Sequence, residues 1–162
     1  MANQDLIPQM VKLLAMAENE IVTGSTVDLD GVNMIDIAEG CTGALQIMAR
    51  DSQTRDRIRS ENIIPAVCVL LSIDHTNLQR SVSGFLCEMS VDRATREILY
   101  RENQRGGDAL KNDLLGLLQA ESEATVAYSA ITLVSKILCN NFGVKKQNFW
   151  CKKMVKNAKS LV

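Results

Sequence analysis

Apolar residues are gathered into short runs along the chain, and runs of similar composition return at regular places. Runs that end in a Leu-Leu pair place these pairs at 13–14, 70–71 and 117–118. Each pair is followed by a second apolar run, in which the matching leucines are Leu45, Leu86 and Leu133. The chain has two prolines, Pro8 and Pro65, and each stands where the first turn of a helix tolerates it. We therefore expect both kinds of run to be helices with a wide apolar face.

A third element joins one unit to the next. Asp51 and Asp92 each lead, at offsets of 7, 10 and 11 residues, to an aliphatic residue and then to Glu-Asn. The matching leucines of the second runs are 41 and 47 residues apart. A repeat of about 40–47 residues with two or three helices is typical of armadillo and HEAT arrays, in which each unit buries its apolar faces against the next. The sequence therefore predicts an all-α fold, an armadillo-type superhelix of about three repeats.

The repeats divide the chain into four segments. The predicted segments are a first repeat over 1–50, a second over 51–91, a third over 92–140, and a basic tail over 141–162 that is disordered or weakly helical. In the first repeat 31 residues separate Leu14 from Leu45, whereas 15 separate the equivalent leucines of the later units. This insert falls near 18–33, and its glycines predict an irregular loop. A shorter insert of about six residues, 104–109, belongs to the third repeat.

Charge is distributed unevenly along the chain. The formal net charge is -1, but residues 141–162 hold six lysines and no acid, which leaves the rest of the chain at -7. A body this acidic argues against nucleic acid as a direct partner. No apolar run approaches the ~20 residues that a transmembrane helix needs. The five cysteines contain no CxxC pair, and four of them lie inside apolar runs, which predicts a reducing, intracellular compartment.

The sequence offers no residues for catalysis or for metal binding. His75 is the only histidine and lies in a predicted surface turn, so a histidine dyad or a zinc site with several ligands at short spacing is not expected. Gly106 and Gly107 lack the surrounding residues of a phosphate-binding loop and predict a turn between repeats. The motifs GxGxxG, HExxH and GxSxG do not occur. We expect a protein that is not an enzyme and that binds no cofactor.

Two sequence blocks carry a family resemblance. The first contains GVNM at 31–34, EGCTGAL at 39–45 and ARD at 49–51. The second contains NLQR at 77–80 and GFLCE at 84–88. Together they resemble the last three armadillo repeats of the beta-catenin and plakoglobin family, and the resemblance covers roughly residues 4–138.

This resemblance implies a superhelix of three-helix repeats whose third helices line a groove for extended or helical peptides. It implies a non-enzymatic scaffold that binds the cadherin cytoplasmic tail, transcription factors of the Wnt pathway and inhibitors that cap the last repeats. The implied roles are cell-cell adhesion, Wnt signalling and transcriptional coactivation, in the cytoplasm, the adherens junction and the nucleus. The long array of preceding repeats is missing, however, and the lysines of the tail have the opposite charge to the acidic tail of the family. A shortened or fragment form that competes for ligands of the end repeats is therefore the alternative.

The resemblance also suggests which residues line the groove. Arg50 and Arg80 stand where the family places groove arginines, and a guanidinium can hold a carboxylate in two parallel hydrogen bonds. The alternative is that both are solvated surface charges. Gln46, Cys87 and Val134 hold equivalent positions in the three third helices, where the family often has an aromatic residue at the last position. Ordinary packing between repeats is the alternative for these three.

The basic tail has two possible interpretations. Lysine pairs flank Phe149 and Trp150, a composition that fits a nuclear-localisation or membrane-surface element. A solvated chain end is the simpler interpretation, and we favour it.

Overall fold

Seven helices occupy the part of the chain that the computed structural model describes, residues 5–24 and 29–119. They are α1 (Leu6–Thr23), α2 (Met34–Met48), α3 (Ser52–Ser60), α4 (Ile64–Leu70), α5 (Thr76–Met89), α6 (Arg93–Arg105) and α7 (Ala109–Gln119). The prediction of an all-α armadillo-type fold is confirmed. The last part of the predicted third repeat, with Val134, and the basic tail over 141–162 lie outside the described residues.

Polar side chains fix the starts of several helices. The Oδ1 of Asn33 accepts two amide hydrogen bonds from the first turn of α2, at 2.7 and 3.1 Å. The carboxylate of Asp51 accepts the amide of Thr54 at 2.8 Å and so begins α3. His75 is half-buried rather than on the surface, and its Nδ1 accepts the amide of Leu78 at the start of α5. These contacts satisfy amides that the first turn of a helix leaves without a backbone partner.

The first insert is shorter than the sequence suggested. The irregular loop predicted near 18–33 is wrong for its first part, because α1 continues to Thr23. The helix ends only at Gly24, whose φ of 71° is the left-handed conformation that commonly follows a helix. The hydroxyl of Thr23 donates to the carbonyl oxygens of Asn19 and Glu20, which keeps the last turn closed. No glycine or second proline interrupts the sequence between Pro8 and Gly24, so α1 continues until Gly24 ends it.

The third helices of the first two units, α2 and α5, pack against each other at the centre of the described molecule. The matching leucines Leu45 and Leu86 are both fully buried there. Helix α1 covers α2, and α4 covers α5, so each unit places a second helix behind its third helix. The fully buried side chains of this core include Leu14, Ile58, Leu70, Leu78, Phe85 and Met89. Aliphatic leucines therefore perform the packing that links one unit to the next.

The third unit absorbs its extra residues by lengthening a helix and adding a tight turn. Helix α6 runs past Asn103 to Arg105, whereas α3 ends before the equivalent Asn62, which takes a φ of 54°. The side chain of Asn103 is buried and holds the turn from both sides. Its Oδ1 accepts the amide of Lys111 at 2.9 Å, and its Nδ2 donates to Asp108 at 2.8 Å. The turn predicted at the paired glycines is confirmed, and Asn103 closes it.

Candidate functional site

Four of the five predicted site residues lie in or directly after the neighbouring helices α2 and α5. Gln46 lies in α2 and is half-buried, and Arg50 is exposed in the turn that follows this helix. Arg80 and Cys87 lie in α5, and both are half-buried. Val134, the fifth predicted residue, is outside the described residues. The structure thus places three of the five candidates on two neighbouring helices and a fourth, Arg50, in the turn that follows the first of them.

Glycine contacts define how α2 and α5 lie against each other. A Cβ atom added to Gly84 would be 2.5 to 2.8 Å from the side-chain amide of Gln46. A Cβ atom on Gly43 would be 3.8 Å from the hydroxyl oxygen of Ser81. Both contacts join residues that are 38 positions apart, so the two helices run side by side in the same direction. The amide of Gln46 therefore lies across the seam between the helices, directly over Gly84.

The same offset fixes how far apart the two arginines are. Arg80 lies level with Thr42 of α2, eight residues before Arg50. At 1.5 Å of rise per residue, the two positions are about 12 Å apart along the helix axis. Cys87 lies level with the end of α2, and Gln46 lies between the two charges. The arginines therefore mark the two ends of one face, which we call the α2–α5 face, and do not form a single pocket.

A buried arginine that was not predicted from the sequence supports one end of this face. The Nη1 of Arg55 in α3 donates to the carbonyl oxygens of Ala49 and Arg50, at 2.9 and 3.1 Å. Its Nε and Nη2 donate to the two carboxylate oxygens of Asp92, at 2.8 and 3.1 Å. Arg55 therefore closes the end of α2, fixes the backbone of Arg50 and ties α3 to the start of α6. The signal was present in the sequence, because an arginine follows four residues after both Asp51 and Asp92.

The charges around Asp92 reinforce one another. The hydrogen bonds from Arg55 lower the pKa of Asp92, and the same contact raises the pKa of Arg55. Arg59, one turn further along α3, brings a second guanidinium to 3.4 Å from the same carboxylate. Because two guanidinium groups favour the ionised carboxylate, this junction between units keeps its charge at a lower pH than an unpaired aspartate would.

The surroundings of two cysteines in the described residues raise the pKa of their thiols. Burial raises the pKa of Cys41, and burial together with the nearby Glu102 and Asp113 raises the pKa of Cys68 to about 12. A thiol with a raised pKa stays protonated at neutral pH and is therefore a poor nucleophile. Within residues 5–24 and 29–119, no group of three His, Cys, Asp or Glu side chains could hold a metal ion. In the same part of the chain, no helix combines the length and the apolar character that crossing a membrane requires.

The comparisons with known proteins agree with this architecture. No protein-family model matches the sequence. Junction plakoglobin of Homo sapiens is 37% identical over 133 residues, and junction plakoglobin of Sus scrofa is 35% identical over the same length. Both alignments cover 79% of this chain and 17% of the relative, so the chain spans about a sixth of the length of the curated relatives that it matches. The helical repeat architecture and these identities together show that the chain is related to the plakoglobin and beta-catenin family of armadillo-repeat proteins.

Proposed function

We propose that this chain is a non-enzymatic scaffold that binds acidic protein segments along the α2–α5 face. The observation that carries the proposal is the position of Arg80 in α5 and of Arg50 directly after the parallel helix α2, where Arg55 holds the backbone of Arg50. The relationship to junction plakoglobin supports a role of this kind in cell adhesion and signalling.

The spacing of the arginines predicts the spacing of the ligand's acids. An extended peptide advances about 3.3 Å per residue, so a span of about 12 Å corresponds to three or four residues. We therefore expect an extended segment with two acidic side chains three or four positions apart, one at each arginine. The half-buried Gln46 and Cys87 lie between them and would contact the apolar or neutral residues of the segment.

The cadherin cytoplasmic tail is the partner that we propose first, and transcription factors of the Wnt pathway and inhibitors of the end repeats are further candidates for the same face. With these partners the chain would act at adherens junctions, in the cytoplasm and, as a coactivator, in the nucleus. The cadherin tail is preferred because the relatives are named for a junction.

Calorimetry with an acidic cadherin-tail peptide tests this proposal. Removing the charge in Arg50→Ala or Arg80→Ala should weaken binding by about 1.5–3 kcal/mol, the range for hydrogen bonds to charged groups. Arg93→Ala is the matched control, because Arg93 is exposed at the start of α6 and pairs with Glu97 instead. Equal affinities of all four proteins would exclude the α2–α5 face as the binding site.

We propose as a second function that this chain competes with longer relatives for the ligands of their end repeats. The chain spans 17% of the relatives' length and therefore presents few of their repeats. Added to a complex of junction plakoglobin with a labelled end-repeat ligand, the chain should release the label in proportion to its concentration. Retention of the label at a large excess of the chain would contradict this function, and a reading frame with further repeats upstream would identify a fragment.

A further inference from the structure

One side of the first unit carries apolar residues whose counterparts in the second unit are buried. The Leu-Leu pairs align α1 with α4 at an offset of 57 residues, and the matching leucines align α2 with α5 at an offset of 41. Six apolar positions of the second unit are each at most 3% exposed, and these are Ile63, Val67, Leu70, Leu78, Phe85 and Met89. Because α4 packs against α1 and α5 packs against α2, the first unit covers this side of the second.

The counterparts in the first unit are more accessible, although they are also apolar. They are Leu6, Met10, Leu13, Ile37, Ala44 and Met48, and we call them the outer face. Leu6 is 59% exposed, and the other five are half-buried. Spacings of three, four and seven residues place them along one stripe of α1 and one stripe of α2. Ala17 and Cys41 extend these stripes, which therefore contain no charged residue over 6–17 and 37–48.

The composition of the outer face suits contact with a second copy of the chain. In a two-fold symmetric contact the same patch meets itself, so a charged residue would lie close to its own like charge. The outer face avoids this repulsion because both of its stripes are uncharged. Its relief is also reciprocal, since Met10 and Leu13 on α1 are long, whereas Ala44 on α2 stands where the second unit has the bulky Phe85. Helix α1 of each copy can therefore lie over the shallow α2 stripe of the other.

The size of the outer face is sufficient for a dimer. Helices α1 and α2 have 18 and 15 residues, so they are about 27 and 22 Å long at 1.5 Å per residue, and each is about 10 Å wide. Together they offer roughly 500 Å² on each copy, or about 1,000 Å² in a pair of copies, which is the lower limit for a specific protein interface.

We propose that a second copy of this chain docks on the outer face, so that two chains form a symmetric dimer through α1 and α2. The driving force is the one that joins the first two units, because helices of one body remove partly exposed apolar side chains of the other from water. The outer face is separate from the α2–α5 face, and the dimer does not rest on the function proposed above.

Sedimentation equilibrium of the full chain over a range of concentrations tests this proposal. The mass should rise with concentration from 17.8 kDa towards twice this value. Leu6→Glu should weaken the dimer at least about tenfold, because a carboxylate would be buried against the second copy. Leu6 is exposed in the monomer and is the first residue of α1, where an acidic side chain is favourable, so the variant should keep the fold.

The matched control is Val69→Glu, which makes the same change of charge on another exposed apolar residue. Val69 is 43% exposed in α4, and its counterpart in α1 is Lys12, which lies outside the outer face. This variant should leave the dissociation constant of the dimer unchanged.

Nuclear magnetic resonance locates the contact. In a mixture of unlabelled chains and chains with ¹³C in their methionine methyl groups, Met10 and Met48 should show nuclear Overhauser effects from the unlabelled copy. Their signals are assigned by Met10→Leu and Met48→Leu, which nearly conserve the side-chain volume. A chain that stays monomeric at millimolar concentration, equal weakening by Leu6→Glu and Val69→Glu, or association without these intermolecular effects would each overturn the proposal. Binding of a separate armadillo-type repeat by a chain that itself stays monomeric would also overturn it, and would assign the outer face to stacking between units of different proteins.

Discussion

At the scale of single residues, Gly84 shows how an absent side chain shapes the candidate face. The repeat pattern predicts close helix packing around the glycines of the third helices, and the structure confirms close contact at Gly84. The neighbour, however, is the side-chain amide of Gln46 and not the backbone of another helix. This amide is the far end of a flexible side chain, so a methyl group can displace it, whereas a branched side chain would also meet the helix behind it.

Substitution of Gly84 tests this contact. Gly84→Leu should lower the free energy of unfolding by about 1–3 kcal/mol, because it overfills a packed seam. Gly84→Ala should be close to neutral, since the gain of up to about 1 kcal/mol in helix propensity offsets the displacement of Gln46. Thermal unfolding of both variants measures the difference.

Gly40 provides the control for this series, because it lies in α2 with no atom within 4 Å of an added Cβ. Gly40→Leu should raise the midpoint of unfolding slightly, through helix propensity alone. A Gly84→Leu variant that was as stable as Gly40→Leu would mean that Gly84 faces open solvent.

Asp92 links the stability of the chain to pH. Asp92→Asn should lower the free energy of unfolding at pH 7 by about 3 kcal/mol, the low end for breaking a buried pair, since the Asp92 side chain is still 25% exposed. The pKa of Asp92 is lowered in the folded chain, so its contribution is complete above about pH 3.9, the pKa of an unfolded aspartate. The contribution is lost as the pH falls through the lower folded pKa.

Urea unfolding of wild type and Asp92→Asn between pH 7 and pH 2.5 measures this dependence. The difference between the two stabilities should become smaller towards the acidic end of the series. Asp74→Asn, which alters an exposed aspartate just before α5, should show a much smaller difference at every pH. A constant gap between wild type and Asp92→Asn would contradict the role of the ionised carboxylate.

At the scale of helices, equal sequence offsets did not guarantee equal conformations. The offsets from Asp51 to Asn62 and from Asp92 to Asn103 are identical, yet one asparagine ends its helix and the other is buried within α6. The chain must turn at Asn62 because α4 begins two residues later, whereas the six extra residues of the third unit remove this demand. The local sequence predicts that helices form, but the number of residues available before the next helix determines where each helix ends.

The contacts of Asn103 predict a local effect as well as a global one. Asn103→Ala removes the acceptor for the amide of Lys111 and a donor to Asp108, and it should destabilise the chain by about 1–3 kcal/mol, the cost of a buried group left unsatisfied. Hydrogen exchange should also become faster at the amide of Lys111, while amides in α2 keep their relative protection. The matched variant Asn62→Ala should leave the exchange of Lys111 unchanged. Slow exchange at Lys111 in Asn103→Ala would show that the amide has another acceptor.

At the scale of the whole molecule, the α2–α5 face carries two arginines in a part of the chain whose net charge is negative. Outside residues 141–162 the formal charge is -7, so an acidic ligand is repelled except near local arginines. Affinity for an acidic cadherin-like peptide should fall as salt rises, because the screening length shortens from ~10 Å at 0.1 M to ~3 Å at 1 M. Arg80→Ala should flatten this dependence, and calorimetry at two salt concentrations measures both slopes. Equal slopes for wild type and Arg80→Ala would remove Arg80 from the binding site and leave the apolar row of Cys87 and Val134 as the candidate.

The repeat pattern predicted the overall architecture, but not how the candidate site residues are arranged relative to one another. The sequence presents Arg50 and Arg80 as a local pair, and the side-by-side packing of α2 and α5 offsets them by about 12 Å along the helix axis. The register of two packed helices depends on which side chains interlock, here at Gly84 and Gln46, and repeat spacing does not specify it. Arg55 was missed for a different reason: its offset of four residues from Asp51 recurs at Asp92 and Arg96, but an arginine in a short polar helix does not by itself indicate that its side chain is buried.

The contact between Arg55 and Asp92 limits how such repeats can be exchanged between proteins. A boundary drawn between residues 91 and 92 separates the arginine from its aspartate, so each unit on its own carries only half of the joint. A foreign repeat grafted after residue 91 would need an aspartate at its first helical cap, or Arg55 would be left buried beside a neutral group. Recombination that ignores this position would give chimeras in which each repeat is sound but the junction between them is weak.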